Sequence, residues 1–368
     1  MMLQVRLTNW CNVGCDHCMI PLVNRHNKLR LSNEFYQRIG GLVNTHLKLR
    51  NEKTLRLSFT GGEPLTLNHD FLVNAYNSIK RTLDNDTFIE HRINTSLIAY
   101  RDEHAAYISD YVDLIKTSLD LSTRKINGSV NNYHQLWLKK YHAVKKLGKP
   151  MIVNCTLTKS EIGQEAHLID TLMSYGIENI QISQFFKTGV PEVQQAEIPS
   201  NLEQSNMYCH IFDLVLDAYA KGKYINVDIC KSYSRIALHL PMIQEEGCQK
   251  GYFVIEPDGK VSTCTIQSAV DKGVGRLNSE TPNEILFSPD RLKNIRYQQN
   301  SFQSGCLSCE FFKNCNRRVC LHMPQNQEEC MGYKVFLEHI KHRCTDLKFK
   351  SVLLSYLHQS RKSAYSTS

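Results

Sequence analysis

No run of apolar residues in this chain approaches the length that a membrane span needs, and the N-terminus enters strand-like sequence by Leu3 with no signal-type apolar stretch before it. A membrane partner is therefore not expected, and a cytoplasmic location is. Internal repeats and low-complexity segments are missing too. The end of the chain, basic from about Leu347 and serine-rich after Gln359, is expected to fray. There is no arginine-rich helix and no aromatic RNA-binding motif, so nucleic acid is not an expected partner. What is present is 368 residues with 42% apolar content, enough for one large domain and a smaller one.

Cysteine, by contrast, is abundant. Fourteen thiols in a cytoplasmic chain argue for metal rather than disulfides, because that compartment keeps thiols reduced. Three of them, Cys11, Cys15 and Cys18, stand in the run CNVGCDHC. Thiolates at CxxxCxxC spacing on one short loop can hold three irons of a [4Fe–4S] cube and leave the fourth iron open to a ligand that is not protein. Zinc sites and fully ligated ferredoxin clusters bring four protein ligands, so a triplet reads differently from either. Further on, the apolar strand Leu55 to Phe59 runs into Gly61, Gly62, Glu63 and Pro64. Two glycines at a strand end let the backbone approach a ligand closely, and the Glu63 carboxylate can fix the loop or a ligand amine.

Short apolar strands alternate with helical patterns from Leu3 to about Gln184. Strands are expected at Gln4 to Leu7, Leu55 to Phe59, Phe88 to Asn94, Asp113 to Leu119, Met151 to Leu157 and Asn179 to Phe185. Helix-like stretches run from Ser32 to Leu49, Asp70 to Leu83, Gln135 to Leu147 and Glu161 to Tyr175, with Gly148 and Gly176 as stops. Successive βα units predict an α/β protein with a parallel sheet, since each parallel crossover needs its helix. A connecting helix from Asn206 to Ala220 and a short strand from Tyr224 to Ile229 follow.

The cysteine triplet and the GGEP loop together resemble the radical S-adenosylmethionine (SAM) superfamily, whose signature is CxxxCxΦC with an aromatic before the last cysteine; here His17 fills that place. The resemblance implies a partial (β/α)6 barrel with ligands at the C-terminal ends of its strands. Both motifs follow strands and so fall on that rim. The later strand ends offer Asn94, Thr95, Ser96, Ser118, Asp120, Asn154, Gln181 and Ser183, whose collective placement favours a polar cavity. By resemblance, the GGEP loop binds the SAM amino group, and Ser118 and Asn154 approach its ribose or carboxylate. Related sequences often carry an arginine after the SLD strand that pairs with the SAM carboxylate. The comparable run here is KINGSV, so that role is expected to pass to another residue such as Arg124 or Lys125.

A second cysteine field begins at Cys248. Ten residues, Gly259 and four more residues lead to Cys264, and then come Cys306, Cys309, Cys315, Cys320 and Cys330. The PDGKVSTC run is a tight turn at Asp258 and Gly259 into a short strand that presents Cys264 at its end. Such a density of thiols signals metal, with a zinc ribbon as the plain alternative. The arrangement resembles the SPASM extension of radical SAM enzymes, with one extra residue between Cys315 and Cys320. By that resemblance Cys248, Cys264 and Cys320 serve one auxiliary cluster, and Cys306, Cys309 and Cys315 serve another with Cys330. The first cluster's fourth ligand stays open between Cys230, Cys344 and a vacant iron, and Cys344 competes with Cys330 for the last place. Cys155 and Cys209 read as small buried hydrophobes. The expected domains are the barrel at 1–196, a connection at 197–247, the SPASM region at 248–346 and a tail at 347–368. The formal charge of +8 falls to roughly +3 or +4 once three such clusters are counted, too little to argue for an anionic partner.

The implied cofactors are a SAM-binding [4Fe–4S] cluster, up to two auxiliary [4Fe–4S] clusters and SAM. The implied chemistry is cleavage of SAM to a 5′-deoxyadenosyl radical, fed by an electron donor such as flavodoxin or ferredoxin. Auxiliary clusters next to the substrate would accept an electron after hydrogen abstraction, so net oxidation is the expected outcome. SPASM relatives act mostly on ribosomally made peptides or proteins, which makes a peptide the expected partner and crosslink or thioether formation the expected reaction. Formylglycine formation is disfavoured, because the sulfatase-maturing relatives carry an Asp base directly after the cysteine of GX4C where this chain has Thr265. A dehydrogenase or epimerase of a small molecule such as a sugar or aminoglycoside precursor is the alternative within enzymes. A non-radical Fe–S electron carrier is the alternative outside them, and it has no use for the GGEP loop. No residue stands out as a catalytic base.

Overall fold

Alternation at period two decides how the main strands face. The computed structural model describes residues 1–20, 25–185, 197–241, 248–270, 273–300, 304–315 and 328–362. Its strands in chain order are β1 (Met2–Thr8), β2 (Gly14–Cys15), β3 (Thr54–Gly61), β4 (Phe88–Asn94), β5 (Leu114–Ser118), β6 (Arg124–Lys125), β7 (Met151–Leu157), β8 (Asn179–Gln184), β9 (Asn226–Val227), β10 (Tyr252–Ile255), β11 (Lys260–Ser262) and β12 (Gly275–Arg276). Ten of them form one sheet in the order β12-β11-β10-β1-β3-β4-β5-β7-β8-β9, and β2 pairs with β6 separately. From β1 through β3, β4, β5 and β7 to β8, every pairing is parallel. This is the expected partial-barrel order, built by crossovers through the helices Asn33–Arg50, His69–Lys80, His104–Tyr111, Val130–Lys145 and Glu165–Ser174.

One face of each strand is apolar and packs under those helices: Leu3, Val5 and Leu7; Leu55, Leu57 and Phe59; Val153, Cys155 and Leu157. The other face is polar and lines the inside of the curved sheet. Gln4 and Arg6 on β1, Arg56 and Ser58 on β3, Glu90 and Arg92 on β4, Lys116 and Ser118 on β5, Asn154 on β7, and Gln181 and Ser183 on β8 point that way. They bond to one another across strands, with Arg56 Nε 3.3 Å from Glu90 Oε2 and Lys116 Nζ donating to Gln181 Oε1 at 3.3 Å. A closed eight-stranded barrel fills its interior with branched apolar side chains; this open one keeps a polar lumen.

The six expected strands form within one or two residues of their expected ends. The helix His104–Tyr111 was not expected; its eight residues are too few to show a clear period, and its presence follows from the parallel crossover between β4 and β5. The connecting helix starts earlier than expected, at Asn201, because Ser200 and Glu203 form a reciprocal capping box. The short strand shrinks to Asn226–Val227, and the chain continues as the helix Asp228–Ala237. After Cys248, β10 joins the barrel sheet parallel to β1, pairing Leu3 with Phe253 and Val5 with Ile255, so the second cysteine field starts on the same sheet as the first.

The expected fraying fails over Leu347–Lys362, which is helical. Leu353, Tyr356 and Leu357 fall on one face of that helix and are buried. The Tyr356 hydroxyl accepts from the Val227 backbone N–H at 2.9 Å and donates to the Ile225 carbonyl at 3.1 Å, so the helix covers the short terminal strand of the sheet. No helix among the described residues is long and apolar enough to cross a membrane.

Tyr356→Ala is expected to cost about 3–5 kcal/mol in denaturant unfolding, as large-to-small core changes do, and Tyr356→Phe about 1–3 kcal/mol, because it leaves the Val227 N–H buried and unpaired. Stability should also depend on pH through His91, which lies buried between the Leu57 carbonyl (3.2 Å) and the Tyr107 hydroxyl (2.7 Å). Burial pulls its imidazole from 6.5 down to about 3. Below 6.5 the unfolded chain takes a proton that folded His91 refuses, so stability should fall as pH drops toward 3, by about 1.4 kcal/mol per pH unit from this group. Unfolding curves of His91→Gln should show a shallower fall.

Candidate functional site

The GGEP turn and the cysteine loop are built against each other. The Gly62 N–H donates to the Thr8 carbonyl at 2.7 Å and the Glu63 N–H to the Trp10 carbonyl at 2.8 Å. A Cβ on Gly62 would stand 2.2 Å from the Trp10 carbonyl oxygen and 2.4 Å from that of Asn9, so only glycine permits this approach. Glu63 is buried, and its carboxylate accepts from the Leu65 N–H (3.0 Å), the Thr95 hydroxyl (2.6 Å), the Ser96 N–H (2.7 Å) and the Ser96 hydroxyl. Burial pushes its carboxyl up, and these four donors oppose that shift. Pro64 then starts a single 3-10 turn, Pro64–Thr66. Glu63 thus ties the ends of β3 and β4 together beside the cysteines, with Thr95 and Ser96 as its partners at the strand end.

Cys11, Cys15 and Cys18 are each partly buried on the loop after β1. Burial, and then the charge of Glu63, pushes the Cys11 thiol well up; burial pushes Cys15 up to about 11, with Arg124 opposing. Each of these two thiols also feels Cys18. Among the described residues no three His, Cys, Asp or Glu groups close around one point as they would for a single metal ion. A cube with irons at separate corners suits three thiols spread along a loop. The loop is held from outside by residues that sequence reasoning missed. Arg25 donates to the Ile20 carbonyl at 2.8 Å and the Cys15 carbonyl at 3.1 Å, and the Arg25 carbonyl accepts the Cys11 N–H at 3.2 Å.

Asp120 and Arg124 form a second support. The Arg124 Nε lies 2.6 Å from the fully buried Asp120 Oδ2, its Nη1 donates to Cys15 Sγ at 3.4 Å, and its Nη2 is 3.1 Å from His17 Nε2. The pairing of β2 with β6 sets Cys15 opposite Arg124 in register. Lys125 reaches Asp16 at 2.6 Å. Both residues expected to replace the missing carboxylate-binding arginine are therefore engaged with the cysteine loop itself. No local signal reveals this, because Cys15 and Arg124 stand 109 residues apart.

Ser118 and Asn154 are register partners on β5 and β7, and Asn154 in turn pairs with Gln181 on β8. The Ser118 carbonyl accepts from the Tyr133 hydroxyl at 2.7 Å, and Asn154 Oδ1 accepts from the Ser183 hydroxyl at 2.5 Å. Two buried oxygens at the strand ends, Asn9 Oδ1 and Asn94 Oδ1, have no protein partner. Inside the lumen, burial and then Arg92 pull the Lys116 ammonium down to about 8. Ser118, Asn154, Gln181 and Ser183 thus lie side by side on adjacent parallel strands.

In the second field, Cys248 opens the short helix Cys248–Gly251, and Cys264 is buried directly after β11, as the turn at Asp258 and Gly259 predicts. Buried Arg6 on β1 pairs with Glu256 at 3.2 Å and donates to the Thr265 carbonyl at 3.2 Å, fixing the residue after Cys264 to the barrel wall. Cys306 and Cys309 share a turn, the Cys309 N–H meeting the Cys306 carbonyl at 3.2 Å. A Cβ on Gly332 would lie 2.9 Å from Cys315 Sγ and 3.6 Å from Cys330 Sγ, so both sulfurs crowd the same glycine. Lys334, raised first by Glu338, also feels Cys309 and Cys330. Cys315 and Cys330 therefore come together against Gly332. Cys320 lies outside the described residues. Cys230 is buried in the core, where Asp228 and Asp213 are its charged neighbours, and Cys344 ends the helix Lys334–Arg343 beside Lys350 and Arg343. Cys155 and Cys209 are buried, as expected.

The profile of the radical SAM superfamily matches residues 5–172, and that of the SPASM iron-sulfur cluster-binding domain matches residues 248–310. Among solved structures, native anSMEcpe with bound AdoMet superposes with a TM-score of 0.76 at 14% identity, over 96% of this chain and 99% of that one. The same protein with bound AdoMet and the Kp18Cys peptide gives 0.75 at 15% identity, over 96% and 99%. SuiB of Streptococcus suis bound to its precursor peptide SuiA gives 0.60 at 16% identity, over 86% and 71%. At these identities the likeness establishes the fold. A [4Fe–4S] cluster and SAM are the cofactors that go with the first matched domain, and auxiliary iron–sulfur clusters go with the second. The chain carries a radical SAM superfamily domain over residues 5–172 and a SPASM iron-sulfur cluster-binding domain over residues 248–310.

Proposed function

We propose that this enzyme oxidatively modifies a ribosomally made peptide or protein in the cytoplasm, forming a crosslink, a thioether or a similar bond. Bound at the barrel rim, the cluster and SAM supply one-electron chemistry able to remove a hydrogen atom from an unactivated carbon. In this reading Cys11, Cys15 and Cys18 hold three irons. The Gly61–Pro64 turn, Ser118 and Asn154 hold SAM, with Glu63 kept rigid by Thr95 and Ser96. The polar lumen receives the substrate and keeps it from bulk water. Cys248, Cys264, Cys306, Cys309, Cys315, Cys320 and Cys330 hold the auxiliary clusters, and a flavodoxin or ferredoxin supplies electrons.

The observation that carries the oxidative part is the continuity of β10 with β1, reinforced by the Arg6–Glu256 pair and the Arg6 contact to Thr265. It sets the Cys264 segment against the barrel sheet, which supports an auxiliary cluster there as the acceptor of an electron from the substrate. The peptide part is supported by the likeness, over nearly the whole of both chains, to a structure described as holding AdoMet and a peptide.

The test uses anaerobically reconstituted protein, SAM and a reductant, mixed with size-separated extract of the source cell grown in D2O. Deuterium should enter 5′-deoxyadenosine only with the peptide and protein fraction. Enrichment driven by the metabolite fraction would instead identify a small-molecule dehydrogenase or epimerase. Cys15→Ala should lose one cluster's iron and all SAM cleavage while keeping the auxiliary iron. SAM cleavage that survives in this variant would rule out the barrel-loop assignment.

A further inference from the structure

We infer that Arg124 sets the reduction potential of the barrel-loop cluster, by donating an N–H···S hydrogen bond and directing its charge at Cys15, while Asp120 fixes it in that position. The inference rests on the proposed role of Cys15 as an iron ligand.

The guanidinium has five donors in a rigid fork, and the structure gives two of its nitrogens hydrogen-bond partners. Nη1 donates to Cys15 Sγ at 3.4 Å and Nη2 faces His17 Nε2 at 3.1 Å, while Nε lies 2.6 Å from Asp120 Oδ2 in an ion pair without a hydrogen bond of its own. Asp120 is itself held at its other oxygen by the Thr156 N–H at 2.7 Å and at Oδ2 by the Thr123 hydroxyl at 3.0 Å, and the Thr123 carbonyl accepts the Asp16 N–H at 3.0 Å. The fork cannot swing away from the sulfur without breaking this set. Because a guanidinium nitrogen can only donate, His17 Nε2 is the acceptor in that contact.

Other charged side chains near the loop place their hydrogen bonds elsewhere, although the Arg25 charge also bears on Cys15. Arg25 is bonded to the backbone carbonyls of Ile20 and Cys15, Asp16 pairs with Lys125 at the exposed side, and the Glu63 charge bears on Cys11. The Arg124 side chain thus places a cation in a hydrogen bond to the sulfur of Cys15. One electron from an external reductant takes a [4Fe–4S] cluster from 2+ to 1+ and makes it more negative. A donor and a cation at a ligand sulfur favour that product, and a neighbouring carboxylate opposes it. Arg124 and Asp120 should then act with opposite sign on the potential, although they form one structural unit. A residue that merely latches the loop has no such signature.

The experiment is a dithionite redox titration of the full-length reconstituted protein and its variants, followed by electron paramagnetic resonance on the signal that changes when SAM is added. Arg124→Gln should shift that midpoint to more negative potential, and Asp120→Asn to less negative potential. Arg124→Lys keeps a cation but not the fork and should shift it downward by less than Arg124→Gln. If Arg124→Gln fails to load iron, the signs for Arg124→Lys and Asp120→Asn decide. Shifts of the same direction in both positions, no shift, or loss of the cluster from all three variants would overturn the inference in favour of a purely structural latch. A Cys15→Ala protein that still shows the SAM-responsive signal would show instead that Cys15 is not a ligand, a failure distinct from unchanged potentials in the Arg124 and Asp120 variants.

Discussion

The fully buried carboxylate of Asp120 holds together parts of the chain that would otherwise drift apart. It stands just past β5, accepts the Thr156 N–H from the neighbouring strand β7, and pairs with Arg124, which reaches across to Cys15 and His17. Burial works hardest to raise the Asp120 carboxyl, but Arg124 and the remaining partners, the Thr156 N–H and Thr123 hydroxyl among them, together hold the group below the ordinary carboxylate range. Deleting one partner of such a pair costs about 3–5 kcal/mol, because the other charge is left uncompensated in a medium of low polarity. A loop of three thiols has little core of its own, and this anchor is one of those that fix its distance from the rim.

Glu63 does the corresponding work on the other side of the loop. Its four donors come from its own turn and from the end of β4, so the GGEP turn and the Thr95–Ser96 strand end move as one piece. The contact of Gly62 with the carbonyls of Asn9 and Trp10 carries that rigidity into the residues just before Cys11. The two anchors share a logic. Each is a buried carboxylate that joins partners close in its own chain segment to at least one backbone N–H on a neighbouring strand or strand end, an arrangement that specifies geometry more than it adds stability.

The sheet gives these anchors something firm to hold. Its apolar face packs under helices while its polar face leaves an open lumen, so one sheet provides both the core and the cavity. β10 extends the same sheet past β1, and Arg6 links the Cys264 segment to the wall of that lumen through Glu256 and Thr265. The second field of thiols is thereby coupled to the barrel by backbone hydrogen bonds and a buried ion pair. At the far end, Tyr356 closes the sheet with a side chain from the last described helix, in a stretch whose basic and serine-rich composition hides three buried apolar positions.

Spacing along the chain determined a good deal by itself. Short apolar runs alternating with helical patterns placed all six barrel strands, since each parallel crossover needs its helix. The CNVGCDHC loop and the GGEP turn were legible because their chemistry depends on residues a few positions apart, and the turn before Cys264 for the same reason. Whatever depends on residues distant in the chain could be decided only by folding. The engagement of Arg124 and Lys125 with the cysteine loop, the support from Arg25, the convergence of Cys315 and Cys330 on Gly332, and the docking of the Leu347–Lys362 helix all join segments that no local pattern relates. Side chains such as arginine and glutamate carry the same charge wherever they stand. Their partners are chosen by the curvature of the sheet and the register of its strands, which exist only once the whole chain has folded.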